Sequence, residues 1–160
     1  MAHITIEYII LMPILIMQIF LFPLTASWLM NIWVTSRSQL ALQDVASHLG
    51  STIQQLYLSL NHATIAAGKV SYTPGLPVLI ENSYYTANAS IRTVGGSPLN
   101  SSNILEMTVT LVSTGNKVST TVVLGPNVVW QNSVFMSNAT NPCVSGEKNQ
   151  TGTIFLQFGS

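Results

Sequence analysis

The sequence predicts an α+β protein: a long N-terminal α-helix, first apolar and then amphipathic, with a C-terminal antiparallel β-sandwich-like head. Three observations support this prediction. The chain is almost continuously apolar from Ile4 to Val34, it then carries apolar residues at three- and four-residue steps up to Ala67, and beyond Gly68 the apolar period becomes two. These patterns are typical of a buried helix, an amphipathic helix and a set of strands. We therefore place a helical segment at 1–67 and a β-rich head at 68–160.

The N-terminal apolar run is long enough to cross a membrane, because a spanning helix needs about 20 apolar residues. Its apolar residues fall on all faces of the helix, Leu15 and Phe20 among them. Such a helix must be buried all round, by lipid or by neighbouring helices. Pro13 and Pro23 lie inside the run, and proline removes a backbone hydrogen bond. We expect a kink or a short melted segment at one or both prolines.

The second part of the helix is predicted to pack against the head. Its apolar positions follow one helix face, and they are Leu42, Val45, Leu49, Ile53, Leu56 and Leu60. Polar residues separate them, as expected for the opposite, solvated face. Gly68 is the expected end of this helix, because glycine adopts the left-handed conformation that commonly follows a helix.

The head is predicted to contain six or so short strands. Stretches rich in Val, Ile, Thr and aromatic residues lie between Pro- and Gly-containing turns, which is typical of an antiparallel sandwich or curled sheet. We expect the strands at 78–80, 84–94, 104–113, 118–124, 128–136 and 153–158. A hairpin should close near Gly115.

Composition argues against several functional classes. Charged residues make up 6% of the chain, against about 25% in average globular domains, and the net charge is zero, so there is no basic surface for nucleic acid. No common catalytic, phosphate-binding or metal-binding motif occurs. Asp44 and His48 form an i, i+4 pair that we interpret as part of a solvated helix face. We therefore predict no catalytic residues, no cofactor and no metal. We interpret Cys143 as a packed or idle thiol, with an intermolecular disulfide bridge or a lipid attachment site as the alternatives.

Glu7 is the most informative polar residue, because it is the only acidic or basic side chain between His3 and Arg37. A carboxylate at bilayer depth costs roughly 2.5–3.5 kcal/mol on insertion scales. One interpretation is that Glu7 pairs with the α-amino group of another copy. The other is that it lies at the membrane surface, where the N-terminal end of a helix favours negative charge.

Four sites match the Asn-x-Ser/Thr pattern for N-linked glycosylation. They lie in the β-rich half at Asn88, Asn100, Asn138 and Asn149. Their number alone is weak evidence in a segment rich in Ser, Thr and Asn. Their restriction to the head nevertheless favours an exposed, extracellular head that carries N-linked glycans.

The residues around Glu7 resemble a known pattern. Type IV pilin-like proteins carry a glutamate early in an apolar helix, and the TadE-like branch adds an aromatic residue directly after it and a proline six residues further on. Glu7, Tyr8 and Pro13 match these three positions. With a long helix before a Ser/Thr-rich β head, the chain is similar to archaeal type IV pilins in particular.

This resemblance implies a structural role. It implies secretion through a prepilin peptidase, insertion in the membrane before assembly, and export by pilus assembly machinery into a cell-surface homopolymer with bundled apolar helices. Glu7 would neutralise the N-terminal amine of a subunit, and the filament would serve adhesion or surface attachment. A motility filament of the archaellum type shares this plan. The alternative from another class is a membrane-anchored surface protein whose head binds a ligand.

Overall fold

The computed structural model describes the backbone of residues 2–94 and 102–159, and the side chains of residues 9, 11–93 and 102–159. The fold is α+β, as predicted. One long helix, α1 (Ala2–Asn61), precedes the strands β1 (Gly68–Tyr72), β2 (Tyr85–Val94), β3 (Ser102–Leu111), β4 (Lys117–Leu124), β5 (Val128–Trp130), β6 (Val134–Met136), β7 (Cys143–Lys148) and β8 (Ile154–Gly159).

The chain divides into two compact units, Met1–Arg37 and Ser38–Ser160. The first lies within the N-terminal part of α1. The second, which we call the head unit, holds the rest of α1 and two four-stranded sheets, in the orders β1-β7-β8-β5 and β4-β3-β2-β6. The pairings are antiparallel except for β5 and β8, which run parallel.

The helix face predicted from the apolar spacing forms the centre of the head core. All six predicted positions are at most 5% exposed, namely Leu42, Val45, Leu49, Ile53, Leu56 and Leu60. The helix approaches the sheets closely because some facing positions have no side chain. A Cβ on Gly146 of β7 would lie 2.7 Å from Cδ1 of Leu60 and 2.9 Å from Cδ2 of Leu156.

The two sheets contribute their inward faces to the same core. In β3, Met107, Val109 and Leu111 are almost fully buried and alternate with more exposed residues, as the period of two predicted. Aromatic contact joins the sheets, since the rings of Phe135 and Phe158 meet edge to face at 5.7 Å. Asn103 adds a polar link, because its Nδ2 donates to the backbone oxygen of Val128 at 3.1 Å.

The helix ends at Asn61, so the prediction that it reaches Ala67 and stops at Gly68 is wrong. A turn follows instead, in which the Ile65 N–H donates to the His62 oxygen at 3.1 Å. Lys148 of β7 fixes this turn, because its Nζ donates to the His62 oxygen at 3.2 Å and to the Ile65 oxygen at 2.7 Å. A cation is favoured at this end of a helix, where the last carbonyls lack partners.

Most predicted strands are present, and their differences from the prediction are local. The β3–β4 hairpin closes where expected, at Gly115 with φ 71°. The stretch 128–136 forms two strands that belong to different sheets. The stretch 78–80 forms only an isolated bridge, between Ile80 and Ser83, and strands β1 and β7 were not predicted.

Neither proline interrupts α1, so a melted segment does not form at Pro13 or Pro23. Near Pro23, the Thr25 hydroxyl lies 3.0 Å from the backbone oxygens of Leu21 and of Phe22 and donates to them. The acceptor that Pro23 deprives of its usual N–H donor is a different one, the backbone oxygen of Ile19.

Candidate assembly surface

The N-terminal part of α1 presents large apolar side chains on every side. The consecutive residues 14–17 are between 51% and 66% exposed. Because an α-helix has 3.6 residues per turn, four successive residues surround the helix axis. Phe22 and Trp33 are the most exposed, at 78% each. We call residues 11–34 the apolar helix surface. In water this surface is unfavourable, so it requires an apolar covering.

The residues that the sequence predicts for assembly all lie on this part of α1. Leu15 is 55% exposed and Phe20 is 68% exposed. Pro13 and Pro23 lie within the helix, ten positions apart. Glu7 and Tyr8 belong to the first turns of α1, but their side chains lie outside the described residues. The role of Glu7 therefore stays a prediction.

One side of the apolar helix surface has a shallow concavity. Leu15, Ile19, Phe22 and Pro23 contribute to its lining, together with Gln18. Proline leaves the carbonyl oxygen four residues earlier without its usual donor, here that of Ile19. The concavity is therefore lined mainly by apolar side chains.

By length and composition, one helix of the described chain could cross a membrane. It is the stretch Leu11–Asn61 near the N-terminus, whose most apolar window is not buried within the chain. The same features suit a helix buried among sister helices. The chain therefore has a long apolar N-terminal helix, compatible with membrane insertion, followed by a β-sheet domain.

No family model, no curated protein and no solved structure matches this chain. The architecture is nevertheless like that of pilins, in the arrangement of an apolar N-terminal helix before a β-sheet domain.

The polar residues considered for chemistry belong to the head unit. Asp44 and His48 are both exposed on α1, and Cys143 is a partly buried free thiol. Within residues 2–94 and 102–159, as far as their side chains are described, no three His, Cys, Asp or Glu side chains cluster so as to hold a metal. The hydroxyl and amide groups around the helix instead link it to the head, as in the bond from Asn127 Nδ2 to Asn61 Oδ1 at 3.0 Å.

Three of the four candidate glycosylation sites lie in the described part of the head. Asn88 is exposed in the middle of β2, and Asn138 is exposed after β6. Asn149 is partly buried in the β7–β8 turn, where its Oδ1 accepts a hydrogen bond from the Thr151 hydroxyl at 2.7 Å. Asn100 lies outside the described residues. Glycosylation at these positions stays a prediction.

Sequence reasoning missed a second exposed apolar surface, which lies on the head. It consists of six side chains that are between 41% and 55% exposed, namely Val78, Leu79, Tyr84, Val112, Val134 and Met136. We call it the turn-side patch, because it surrounds the turn at 80–83. Val134 and Met136 pair with β2, the Val112 N–H donates to the Tyr84 oxygen at 3.1 Å, and Leu79 and Tyr84 flank the bridge between Ile80 and Ser83. The local sequence pattern therefore carries no signal for it.

Proposed function

We propose that this chain is a structural subunit of an extracellular helical filament, a pilin, which assembles when sister copies bury their apolar helix surfaces against one another. The observation that carries this proposal is the exposure of large apolar side chains on all sides of residues 11–34. Each such side chain contributes about 1.5–3 kcal/mol when it is fully buried. A bundle of sister helices covers all sides at once, without water.

Two features favour sister helices over lipid as the final covering. The apolar run from Ile4 to Val34 exceeds the about 20 residues that a bilayer needs. Pro13 and Pro23 also leave backbone acceptors that lipid tails do not satisfy, whereas neighbouring helices and their polar side chains do. Membrane insertion then precedes assembly as the state of the unassembled subunit.

Glu7 supports the proposal through the resemblance to type IV pilins. In that role its carboxylate would pair with the N-terminal amine of a neighbouring copy and so avoid an unpaired charge in the apolar core. The same resemblance implies processing by a prepilin peptidase and export by pilus assembly machinery. We propose adhesion or surface attachment as the use of the filament, and a motility filament of the archaellum type as a variant of this plan.

A membrane-anchored surface protein is the second candidate. The length and composition of the helix Leu11–Asn61 favour it, because they also suit a single membrane span. The two candidates differ in what happens when cells are sheared. Filament subunits leave with the sheared material, whereas anchored proteins stay in the membrane fraction.

Leu15→Glu tests the filament core. We expect the fraction of subunit in sheared fibres to fall about 100-fold, since a carboxylate in an apolar core costs roughly 2.5–3.5 kcal/mol. Leu15→Met is the matched control, because it keeps volume and apolarity, and it should preserve fibre yield. Sedimentation of the sheared fraction and electron microscopy of the fibres measure the yield. Normal fibre counts with Leu15→Glu, or with Glu7→Ala, would contradict the proposal that these helices form the filament core. If wild-type subunits were found only in membranes, the membrane-anchored surface protein would be favoured.

A further inference from the structure

We propose that Asn88 carries an N-linked glycan whose first sugar covers Val134 and Met136, the two apolar side chains that edge strand β6 exposes. This rests on the proposed function in one respect, namely that the head lies outside the cell. The contact between the sugar and β6 lies within a single subunit, so it does not require a filament.

The glycan acceptor pattern lies on the exposed face of β2. Side chains alternate between the two faces along a strand. Ala87 and Ala89 point into the core, where they are 0% and 9% exposed, whereas Asn88 and Ser90 are both exposed. The amide of Asn88 and the hydroxyl of Ser90 are the two groups that define the acceptor pattern. They are therefore presented together on the solvent side of the sheet.

The fold makes no other use of the Asn88 amide. Within the side chains that the structure describes, that of Asn88 has no hydrogen bond. The acceptor pattern at Asn149 differs, because the Asn149 Oδ1 accepts hydrogen bonds from the N–H groups of Thr151 and Thr153, at 3.1 and 2.8 Å. Asn149 thus stabilises its own turn, whereas the Asn88 amide is left for modification.

The neighbours of Asn88 on this face differ in polarity between its two sides. On one side Asn88 pairs with Val134, and Met136 lies diagonally beyond. Paired residues of antiparallel strands have Cβ atoms about 5 Å apart, and diagonal neighbours are about 7 Å apart. On the other side Asn88 pairs with Thr108, whose hydroxyl is hydrogen-bonded to that of Ser119 at 2.9 Å. The apolar neighbours in this row therefore lie on the β6 side.

Strand β6 is an edge strand without the usual protection against strand addition. It is the last strand in the order β4-β3-β2-β6, and Val134 and Met136 are 44% and 49% exposed. Natural sheet edges are blunted by charge, by proline or by a covering element, and the three residues of β6 include no charge and no proline. The opposite edge strand, β4, begins with the exposed Lys117, and α1 lies beside it, since a Cβ on Gly50 would be 3.1 Å from Cγ2 of Val122.

A sugar at Asn88 provides the cover that β6 lacks. A pyranose ring has a face of C–H groups that packs on apolar side chains, and hydroxyl groups at its edge that stay in water. It therefore removes the side chains of Val134 and Met136 from water and keeps the surface soluble. Its bulk also hinders the approach of a further strand to β6.

The attachment is a glycosyl transfer to the Asn88 amide. Asn88 Nδ2 forms a bond to the anomeric carbon of the sugar and loses a proton, while the bond from that carbon to the phosphate of a lipid-linked oligosaccharide donor breaks. Because β2 is paired with a strand on each side at Asn88, the transfer takes place before the head folds. The folded strand then holds the sugar beside β6.

Ser90→Ala tests whether the glycan is present, because it removes the acceptor pattern and keeps Asn88. Ser90→Thr is the matched control, since it keeps the pattern. Subunits are purified in detergent from the cells that naturally produce the chain, and mass spectrometry weighs the peptide that contains residue 88. We expect a glycan on this peptide in the wild type and in Ser90→Thr, and none in Ser90→Ala. An unmodified peptide in the wild type would overturn the proposal.

Oxidation of Met136 in the same purified subunits tests where the sugar lies. Hydrogen peroxide converts exposed methionine to its sulfoxide, which mass spectrometry quantifies. We expect Met136 to be oxidised about threefold more slowly in the wild type and in Ser90→Thr than in Ser90→Ala, because the sugar covers its sulfur. Equal rates in glycosylated and unglycosylated subunits would show that the sugar does not lie on β6.

Both measurements are made on separate subunits, so their outcome is distinguishable from that of the filament. Glycosylated Asn88 and a protected Met136 in cells that form no fibres would support the sugar contact and contradict the filament. An unmodified Asn88 in cells that do form fibres would overturn the sugar contact alone.

Discussion

At the residue scale, ionisation of the Tyr85 phenol makes the free energy of unfolding of the head depend on pH in the alkaline range. Burial raises the pKa of its phenol from 10.0 to about 12. Between these values the unfolded chain loses the proton first, so the free energy of unfolding falls as pH rises above about 10. After allowance for partial solvent screening, we expect a loss of about 1–2 kcal/mol. Urea unfolding of the detergent-solubilised subunit, followed by circular dichroism across this range, measures it.

Tyr85→Phe separates this titration from other alkaline effects. It should remove the loss of stability between pH 10.0 and about 12. It should also cost about 1 kcal/mol at neutral pH, because the Tyr85 Oη donates a hydrogen bond to the Pro77 oxygen at 2.7 Å, which the phenylalanine cannot make. Tyr72→Phe is the control for removal of a hydroxyl, since Tyr72 is 52% exposed. If the Tyr85→Phe variant still lost stability as the pH rose from 10.0 to about 12, the titration of another group would have to be responsible.

Single residues also show which features of the structure could be predicted from the sequence. The six apolar positions on the amphipathic part of α1 were predicted correctly, because helical spacing alone decides which face is buried. Glu81, in the turn at 80–83, has a φ of 49°, which was not predicted. Glutamate rarely adopts that conformation, and the tertiary contacts that enforce it, including the Tyr85 hydrogen bond to Pro77, have no signal in local sequence.

At the element scale, the sequence prediction missed β7 and misplaced the end of α1, and contacts between residues distant in sequence explain both errors. β7 contains Gly146, Glu147 and Lys148, residues that are depleted in strands, yet it lies between β1 and β8. Its glycine gives the space that Leu60 of α1 occupies. The helix end was placed at Gly68 because glycine is a common stop signal, whereas Lys148 fixes a turn that begins six residues earlier, at His62. Both features depend on long-range contacts.

Gly146→Ala tests the close approach of helix and sheet. The added Cβ would meet buried methyl groups of Leu60 and Leu156 within 3.0 Å, so we expect the free energy of unfolding to fall by about 1–3 kcal/mol, as is typical of overpacked cores. Gly68→Ala is the control, because a Cβ there meets nothing within 4 Å. Thermal unfolding in detergent compares the two. Equal stability of both variants would show that the core accommodates a methyl group at Gly146.

At the scale of the whole molecule, the sequence is informative about the apolar helix surface and silent about the turn-side patch. The apolar helix surface is one uninterrupted stretch of sequence, so composition alone predicts that it must be covered. The turn-side patch combines Leu79, Val112 and Met136, which are distant in the chain and are placed by the Ile80–Ser83 bridge, the hydrogen bond from Val112 to Tyr84 and the pairing of β2 with β6. Such a surface follows from the fold, and sequence periodicity alone could not have located it.

The low content of charged residues leads to a prediction about the filament as a whole. Charged residues are 6% of the chain and the net charge is zero, so apolar contacts should hold the fibres together. Raising the salt concentration from 0.1 to 1 M shortens the range of charge interactions from about 10 Å to about 3 Å, but it does not weaken apolar burial. We expect the sedimenting fibre fraction to stay constant across this range and to dissolve in detergent. Fibres that dissociated in 1 M salt would show instead that ion pairs between subunits, rather than buried helices, provide most of the cohesion.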